Sequence, residues 1–364
     1  MPLTDSSPGR TTASAHLERI GNRARLAGSP AAAEARAYCA DVLRRAGFAT
    51  SERRFEYSAF PGLWATPVAG VVAVVAAIGF YVGRTFPDVL AVTVASLVVV
   101  LVGLSLVGRG ALQVSSMRRW ATNLEATRFG SPPSVWLVAH LDSKWQPVSM
   151  IMRVIGVIGT AIGLIACFAF AVVADRTSDV AALTVLLVTC AAAVPLILSI
   201  VGDRNHGTLD NASGVAAVLE AIEMMPRDAR VGVLISDAEE LGLAGTRAWA
   251  RSKPPGIALN CDSVDDDGPI TVMFSRSRPS ALIARIEAAA RAEGEPVRSF
   301  RLIPGILTDS VALASYGWQT VTLSRGRLRT LQRIHTSRDT LSAMSGVGIA
   351  GVARVLARTA QELV

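Results

Sequence analysis

The chain reads as an α/β protein: a mostly parallel mixed sheet sandwiched by helices and interrupted by two transmembrane α-helical hairpins. Three observations predict this. Four stretches, Leu63 to Val82, Val89 to Gly108, Val154 to Ala174 and Val180 to Val201, are almost uninterruptedly apolar. After the last of them, strand-like and helix-like patterns alternate, the signature of a largely parallel sheet covered by helices. Of the conspicuous acids and histidines outside the apolar stretches, His140, Glu239, Glu240 and Asp262 fall at or just past the ends of predicted strands and Asp210 just before a helix, the edge where open α/β sheets gather their ligands.

Each apolar stretch is about 20 residues long, roughly the 30 Å of a bilayer core at 1.5 Å rise per residue. They account for a composition that is 51% hydrophobic and only 18% charged, with a mean hydropathy of +0.41. Buried core helices run shorter and carry polar interruptions, and Pro67 and Pro195 are tolerated in spanning helices. The stretches come as two tight pairs, hairpin one over 63–108 and hairpin two over 148–201. Their loops, Gly83 to Asp88 and Asp175 to Asp179, are too short to hold a domain. Each hairpin therefore leaves and re-enters on one side, and the expectation is an integral membrane protein with four spans in the lipid bilayer. Arg53, Arg54, Arg109, Arg118, Arg119, Lys144, Arg153 and Arg204 flank the spans on the side of the long segments, whereas the short loops carry only Arg84 and Arg176. Positive charge stays inside, which puts the polar bulk in the cytoplasm. With no apolar run before Leu63, no cleavable signal peptide is expected.

Three polar segments remain, 1–60, 110–147 and 205–364, enough for one discontinuous α/β domain. The first opens with a polar stretch, expected to be mobile, to about Arg10. Helical periodicity follows through Leu17 and Ile20 and, after Ser29-Pro30, through Ala33 to Leu43. Gly47 is the helix stop before a strand from Ala49 to Tyr57. In the second segment Val135 to Ala139 is a short buried strand that ends at His140. The third alternates: helix Ala212 to Met225, strand Val231 to Ile235, strand Ile257 to Asn260, helix Ser280 to Ala292, strand Thr320 to Leu323 and helix Leu341 to Leu363.

Composition also excludes some functions. The net charge of +7 comes from 34 Arg and 2 Lys dispersed along the chain without interleaved aromatics, so no nucleic-acid surface is expected. Cys39, Cys167, Cys190 and Cys261 show no close pairing, which agrees with a reducing compartment. The spans carry no ionisable residue beyond Arg153 at one end, so no ion path is suggested. Nothing in the sequence speaks to oligomeric state.

The remaining acids and histidines form a set. His140 and Asp142 close one strand, Gly207 to Gly214 holds Asp210, Glu239 and Glu240 follow the next strand, Asp262 ends another, and His335 lies near the end of the chain. Imidazole and carboxylate are the ligands zinc takes. Two such ions side by side need one bridging carboxylate and separate ligands for each. Asp210, fixed between Gly207 and Ser213-Gly214, suits the bridge. Asp142 is placed to accept the other N–H of His140 and set its tautomer. Of the adjacent pair Glu239 and Glu240, one can bind metal while the other moves a proton. Cys261 is read as packing and His206 as a loop residue.

In this order the residues resemble metallopeptidase family twenty-eight, the co-catalytic zinc aminopeptidases and their relatives. The resemblance rests on His140-Leu141-Asp142, on Asp210-Asn211-Ala212-Ser213-Gly214, on Glu239-Glu240, on Asp262 within Asn260 to Ser263, and on His335-Thr336 with Asp339-Thr340. Arg25 to Pro30 and Thr308-Asp309-Ser310 support it, and it covers nearly all of the polar segments. It implies that His140 and Asp262 hold one zinc, Glu240 and His335 the other, and Asp210 both. Glu239 becomes the general base, with Asp309 and Asp339 supporting the ligands. The activity implied is that of a membrane-anchored exopeptidase, an aminopeptidase, hydrolysing a terminal amide of a peptide or amide substrate by attack of metal-activated hydroxide.

Two features depart from the family pattern. Many relatives have a tyrosine before the last histidine, where this chain has Ile334, so carbonyl activation is expected to rest on the metals alone. Relatives also join the His-x-Asp strand to the bridging aspartate by a short loop, whereas here His140 and Asp210 lie 70 positions apart with two spans between them. Asp142 precedes Val154 by 12 residues and Asp210 follows Val201 by 9. Such links reach roughly 30 to 40 Å at about 3.3 Å per residue, so the metal site is expected near the membrane surface, with membrane-associated substrates. The related deacetylase and carboxypeptidase group of amidohydrolases inserts a lid of about a hundred residues before its last histidine, but only 73 positions separate Asp262 from His335. Glutaminyl cyclases share the fold with a single zinc, and noncatalytic scaffolds of this fold have lost ligands that this chain keeps.

Overall fold

The computed structural model describes residues 12–83, 85–109, 111–128, 132–173, 179–303 and 306–364. The polar start to Arg10, Arg84 and most of the second hairpin loop with Arg176 lie outside them. In chain order the elements are α1 (Thr12–Ile20), α2 (Pro30–Arg45), β1 (Ala49–Ser58), α3 (Phe60–Val82), α4 (Phe86–Arg109), β2 (Arg118–Thr127), β3 (Val135–His140), α5 (Met150–Val173) and α6 (Asp179–Ile197). There follow α7 (Ser213–Glu223), β4 (Val231–Ser236), α8 (Ala244–Ala250), β5 (Ile257–Val264), β6 (Ile270–Phe274), α9 (Ser280–Ala292), β7 (Val297–Arg301), α10 (Asp309–Ser315), β8 (Gln319–Arg325) and α11 (Val347–Gln361).

Local chemistry explains the boundaries. Ser29 caps α2 by accepting the Ala32 N–H, with Pro30 in the first turn, the arrangement that leaves fewest orphan donors. Gly47, at φ 86°, ends the same helix in the left-handed conformation that favours glycine. β3 and β4 are buried at every residue, as central strands covered on both faces must be. The eight strands form one sheet in the order β1-β2-β4-β3-β5-β8-β6-β7. The β4–β3, β3–β5, β5–β8 and β6–β7 pairs are parallel, and the other three are antiparallel. One face packs under α1, α2, α7, α9 and α11. The other packs under α8 and α10 around Trp136, Trp249 and Trp318. This is the expected mixed sheet between helical layers.

Some elements differ from expectation. The last helix starts at Val347 rather than Leu341, because Gly346 at φ 86° breaks the run and leaves only a 3-10 turn over Leu341–Ala343. Strands β2, β6 and β7 were not anticipated. In β7 most side chains are polar and half-exposed, so it carries little of the apolar signal that marks a strand. β5 and β8 each extend past their expected ends, toward the site.

Helices α3, α4, α5 and α6 are each long and apolar enough to cross a membrane. They expose rows of large apolar side chains, among them Ile155 at 64%, Ile165 at 69% and Val188 at 62%, a belt far larger than the patches soluble proteins leave uncovered. The four gather into one bundle, with α3 packed on both α5 and α6. Small residues allow the close approach: a Cβ at Gly163 would meet Thr189, and one at Gly70 would meet Ile197. α6 ends at Ile197, four residues before the expected Val201. From there the chain turns to Gly202, which exchanges two backbone hydrogen bonds of 2.8 Å with Trp145. That pair staples the two ends of the α5–α6 insertion together.

Arg25 makes a second staple at the same place. Its fully buried guanidinium donates to the carbonyls of Leu141 (2.9 Å), Ile20 (2.8 Å), His206 (2.6 Å) and Gly207 (2.9 Å). Burial pulls its pKa down to about 10 against the favourable field of Asp339 and Asp142. Replacing Arg25 with Leu removes the donor from all of these carbonyls, of which that of Gly207 still accepts the Ala212 N–H, and is expected to cost about 3 kcal/mol or more. Thermal unfolding of the purified full chain checks this, and Arg25→Lys, which keeps the charge but not the planar fork, should recover only part of the loss.

Candidate metal centre

The residues singled out from the sequence converge at one end of the sheet. His140 is the last residue of β3, Glu239 and Glu240 follow β4, Asp262 lies in β5, Asp210 precedes α7, and His335 sits in the segment after β8. All are buried. His140 Nε2 lies 3.2 Å from Asp210 Oδ1 and 3.8 Å from Asp262 Oδ1. His335 Nε2 lies 3.0 Å from Asp210 Oδ2 and 3.2 Å from Glu240 Oε1. The two oxygens of one aspartate thus face two different histidines. Two groups can each hold a metal ion, His140 with Glu239 and Asp262, and Asp210 with Glu240 and His335.

The residues fit zinc. Ligand atoms about 2.0–2.1 Å from a tetrahedral zinc lie roughly 3.3 Å from each other, and the pairs here span 3.0 to 3.8 Å. Glu240 Oε1, the oxygen that faces His335 and Asp210, is buried without a hydrogen-bond partner, a costly state unless something else engages it. Charge points the same way. Asp142, Asp210, Asp237, Glu239, Glu240, Asp262, Asp309 and Asp339 are all buried, more carboxyl groups than the cations Lys144, Arg153 and Arg25 can offset.

The protonation balance follows from this crowding. Burial works against ionisation of Asp210, but the two histidines hold its carboxyl far below the usual carboxylate range. Burial is likewise outweighed at Glu240, where His335 and Lys144 bring the pKa to about 2. Glu239 goes the other way. Burial raises it, and Glu240, Asp309 and Asp262 add to the rise against the pull of His140. Burial also lifts Asp309 and Asp339, each to about 6. Burial disfavours the imidazolium of His140, yet the negative field of Glu239, Asp142, Asp210 and Asp262 raises its pKa well above the ordinary value.

Asp142 acts differently from expectation. His140 Nδ1 lies 3.1 Å from the main-chain carbonyl of Asp142, with the carboxylate farther off at 3.6 Å. The carboxylate instead accepts the backbone N–H groups of Glu239 (3.0 Å) and Glu240 (3.1 Å). The turn carrying the acidic pair begins at Ala238 with φ 58°, so an anchor there holds a conformation that costs energy in a non-glycine residue. Ser263 (φ 57°) and His335 (φ 65°) are strained in the same way beside or at candidate ligands.

The Asp-Asn-Ala-Ser-Gly string has a mechanical explanation. Asn211 donates to the Cys261 carbonyl (2.9 Å) and accepts from Gly214 N (2.9 Å) and Ser263 N (3.1 Å). Ser213 Oγ donates to the Leu209 carbonyl (2.6 Å) and accepts from Val264 N (2.8 Å). A Cβ at Gly214 would run into Asn211 Oδ1 and the Cys261 carbonyl. These contacts pin Asp210 to the strand that carries Asp262. Asp339 completes the clamp by accepting the N–H groups of Leu209 (2.5 Å) and Asp210 (3.1 Å). Asp309 accepts from Ser236 Oγ (2.5 Å) behind the acidic pair. Both acids thus contact residues at or next to the candidate ligands rather than the ligand atoms themselves. Cys261 is packed in the core, and His206 contributes its main-chain carbonyl to Arg25.

Two cations at the site were read from sequence only as membrane flanks. Lys144 Nζ lies 2.7 Å from Glu240 Oε2. Alternation along an extended segment puts positions 140, 142 and 144 on one face, a signal that could have found it. Arg153, on the first turn of α5, lines the same cavity as the candidate ligands. That cavity holds about 670 Å³ and extends from His140 and Glu239 to Ala65 and Thr66 of α3 and Val157 and Ile158 of α5. Ile334, in the position of the relatives' tyrosine, is buried against Met150 and Leu209.

The sequence model of Peptidase family M28 matches residues 123–360. No curated protein sequence matches the chain significantly. Among solved structures, the chain is similar to an aminopeptidase from Aneurinibacillus sp. strain AM-1, with a TM-score of 0.58 at 12% identity over 96% of this chain and 92% of that one. It is similar to BSAP, a zinc aminopeptidase from Bacillus subtilis, with a TM-score of 0.58 at 12% identity over 96% and 94%. Porphyromonas gingivalis glutaminyl cyclase gives a TM-score of 0.59 at 15% identity over 97% and 98%. At such identities the likeness speaks to the fold.

Proposed function

Because this chain belongs to peptidase family M28, we propose that it is a membrane-anchored hydrolase with two zinc ions, an exopeptidase of the aminopeptidase kind that cleaves a terminal amide. The disposition of Asp210 carries this reading: its Oδ1 faces His140 and its Oδ2 faces His335, one carboxylate shared between two donor sets. His140 and Asp262 would hold one ion, Glu240 and His335 the other, and Asp210 both. Bound there, the metals would polarise the amide carbonyl and lower the pKa of the attacking water. Glu239, a carboxyl group with a raised pKa beside His140 and Asp262, holds the proton that passes from water to the leaving nitrogen. Asp142 keeps Glu239 and Glu240 in register through their backbone N–H groups. Lys144 engages Oε2 of Glu240 and leaves Oε1 to face His335.

The domain assignment is a discontinuous peptidase domain of 1–60, 110–147 and 205–364 carried on hairpins 63–108 and 148–201. The length, composition and exposed apolar belt of α3 to α6 support membrane anchoring. The basic flanks favour a cytoplasmic peptidase domain. A reporter fused in the loop between Gly83 and Asp88 should report the non-cytoplasmic side, and a cytoplasmic signal would reverse the orientation.

Metal removal tests the chemistry. A chelator should abolish hydrolysis of aminoacyl amides, and zinc should restore it with saturation at about two equivalents. A plateau at one equivalent, with ring closure of amino-terminal glutamine in place of hydrolysis, would favour the cyclase reading.

A further inference from the structure

The cavity beside the metal ligands does not end within the peptidase domain. Met150, Arg153, Val154, Val157 and Ile158 of α5 all line it. Their spacing, i, i+3, i+4, i+7 and i+8, places them on one helix face. That face runs roughly 12 Å along α5 at 1.5 Å per residue, into a helix apolar enough to cross a membrane. Ala65 and Thr66 of α3 line the cavity from the neighbouring helix. On the peptidase side its wall includes Ile303, Leu307 and Leu328, exposed by 46%, 51% and 67%. Such side chains beside a spanning helix suit contact with lipid rather than water. Among the described residues, the guanidinium of Arg153 makes one hydrogen bond, to Gln146 Oε1 at 2.9 Å, and no ion pair. It is a cation facing the cavity with donors to spare.

We propose that the substrate is an anionic amphiphilic amide: its scissile bond lies at the metal ligands, its negative group on Arg153, and a long alkyl or acyl chain along the α5 face. This rests on the two-zinc hydrolase part of the reading above and names its substrate class; because an N-acyl amino acid has no free amino terminus, it replaces the aminopeptidase specificity with that of an amidase. Hydrolysis of such an N-acyl amino acid consumes one water and releases the fatty carboxylate and the free amine. The lining decides between chain types. Past Arg153 the α5 face offers only hydrocarbon, so an extended peptide would leave its backbone N–H and C=O groups unpaired there, at a cost of several kcal/mol each in an apolar medium. A polymethylene chain has no polar groups to satisfy.

The test uses the purified full chain in detergent with zinc. Across N-acetyl-, N-octanoyl- and N-lauroyl-glycine, kcat/KM should rise by roughly three- to fourfold per methylene until the face is filled. Lauroyl-glycine should be cleaved in preference to glycyl-dodecylamide, which carries the chain on the amine side and no anion; the reverse preference overturns the proposal. Val157→Trp should lower the lauroyl-to-acetyl ratio at least tenfold, whereas Ile155→Trp, on the outer face, should leave that ratio unchanged. Arg153→Gln should narrow the preference for lauroyl-glycine over lauroyl-glycinamide by tenfold or more. A lauroyl-glycine probe with a diazirine at the chain end should label positions 154–158 and 65–66. Competition by lauroyl-glycine but not acetyl-glycine should remove that label. Cleavage indifferent to chain length, or label spread equally over Ile155 and Ile162, overturns this proposal and leaves the hydrolase intact. Label on the inner face with no amide cleaved overturns the hydrolase and leaves the occupant.

Discussion

Glu239→Gln is expected to lower turnover of every amide substrate by on the order of 10²- to 10⁴-fold while the protein keeps two zinc ions. The substitution preserves shape and volume in a buried site, and Asp142 still receives the backbone N–H of residue 239, so the acidic turn stays in place. Glutamine cannot take a proton from water. Glu239 is singled out because its environment raises its pKa while that of Glu240 falls. Two carboxylates driven apart in this way agree with the proposed roles of acid–base group and ligand. Zinc analysis makes the assignment testable, since Glu239 also lies within ligand reach of His140 and Asp262. Loss of one zinc in the variant would make Glu239 a ligand, and an unchanged rate would remove it from the chemistry.

Asp210→Asn should cut the zinc content to one ion or fewer and activity by about three orders of magnitude or more, since bound metal supplies several kcal/mol of transition-state stabilisation. An amide presents one oxygen where the aspartate presents two, so the shared ligand is lost whichever way it turns. The fold should survive. The N–H groups of residues 209 and 210 remain bound by Asp339, and Asn211 and Ser213 still tie the turn to β5. Far-UV circular dichroism should match the parent. Two zinc ions retained at parent affinity would refute the bridge.

Much of this was legible from residue order. The four long apolar helices showed because uninterrupted apolar runs of that length have few alternative explanations. β3 and β4 showed because strands buried on both faces must be apolar throughout. β2 and β7 were missed for the converse reason: both carry many polar residues, and β2 was recruited by pairing with β1 and β4 rather than by its own periodicity. The helix expected from Leu341 was cut short by a glycine whose left-handed conformation no apolar pattern reveals.

At the site, each candidate ligand was identifiable by chemical type, His140, Glu239, Glu240 and Asp262 also by their place at strand ends and Asp210 by its place before a helix, and all of them meet in the folded chain. Their division of labour was less visible. Asp142 was expected to orient His140, yet its carboxylate holds the backbone of residues 97 and 98 positions away. Lys144 and Arg153 carried no mark in the sequence beyond their charge near a span.

Residue order alone determined which side chains could bind metal, where the strands that present them end, and that four helices are apolar enough for a bilayer. These are properties of short windows, carried by residue type and periodicity. The tertiary structure decided that Asp210 turns one oxygen to each histidine, that Lys144 sits on Glu240, and that the cavity continues along α5. Such facts depend on the register between segments distant in sequence. That register is set by packing and buried hydrogen bonds, such as those of Arg25 and Asn211, which no local pattern encodes.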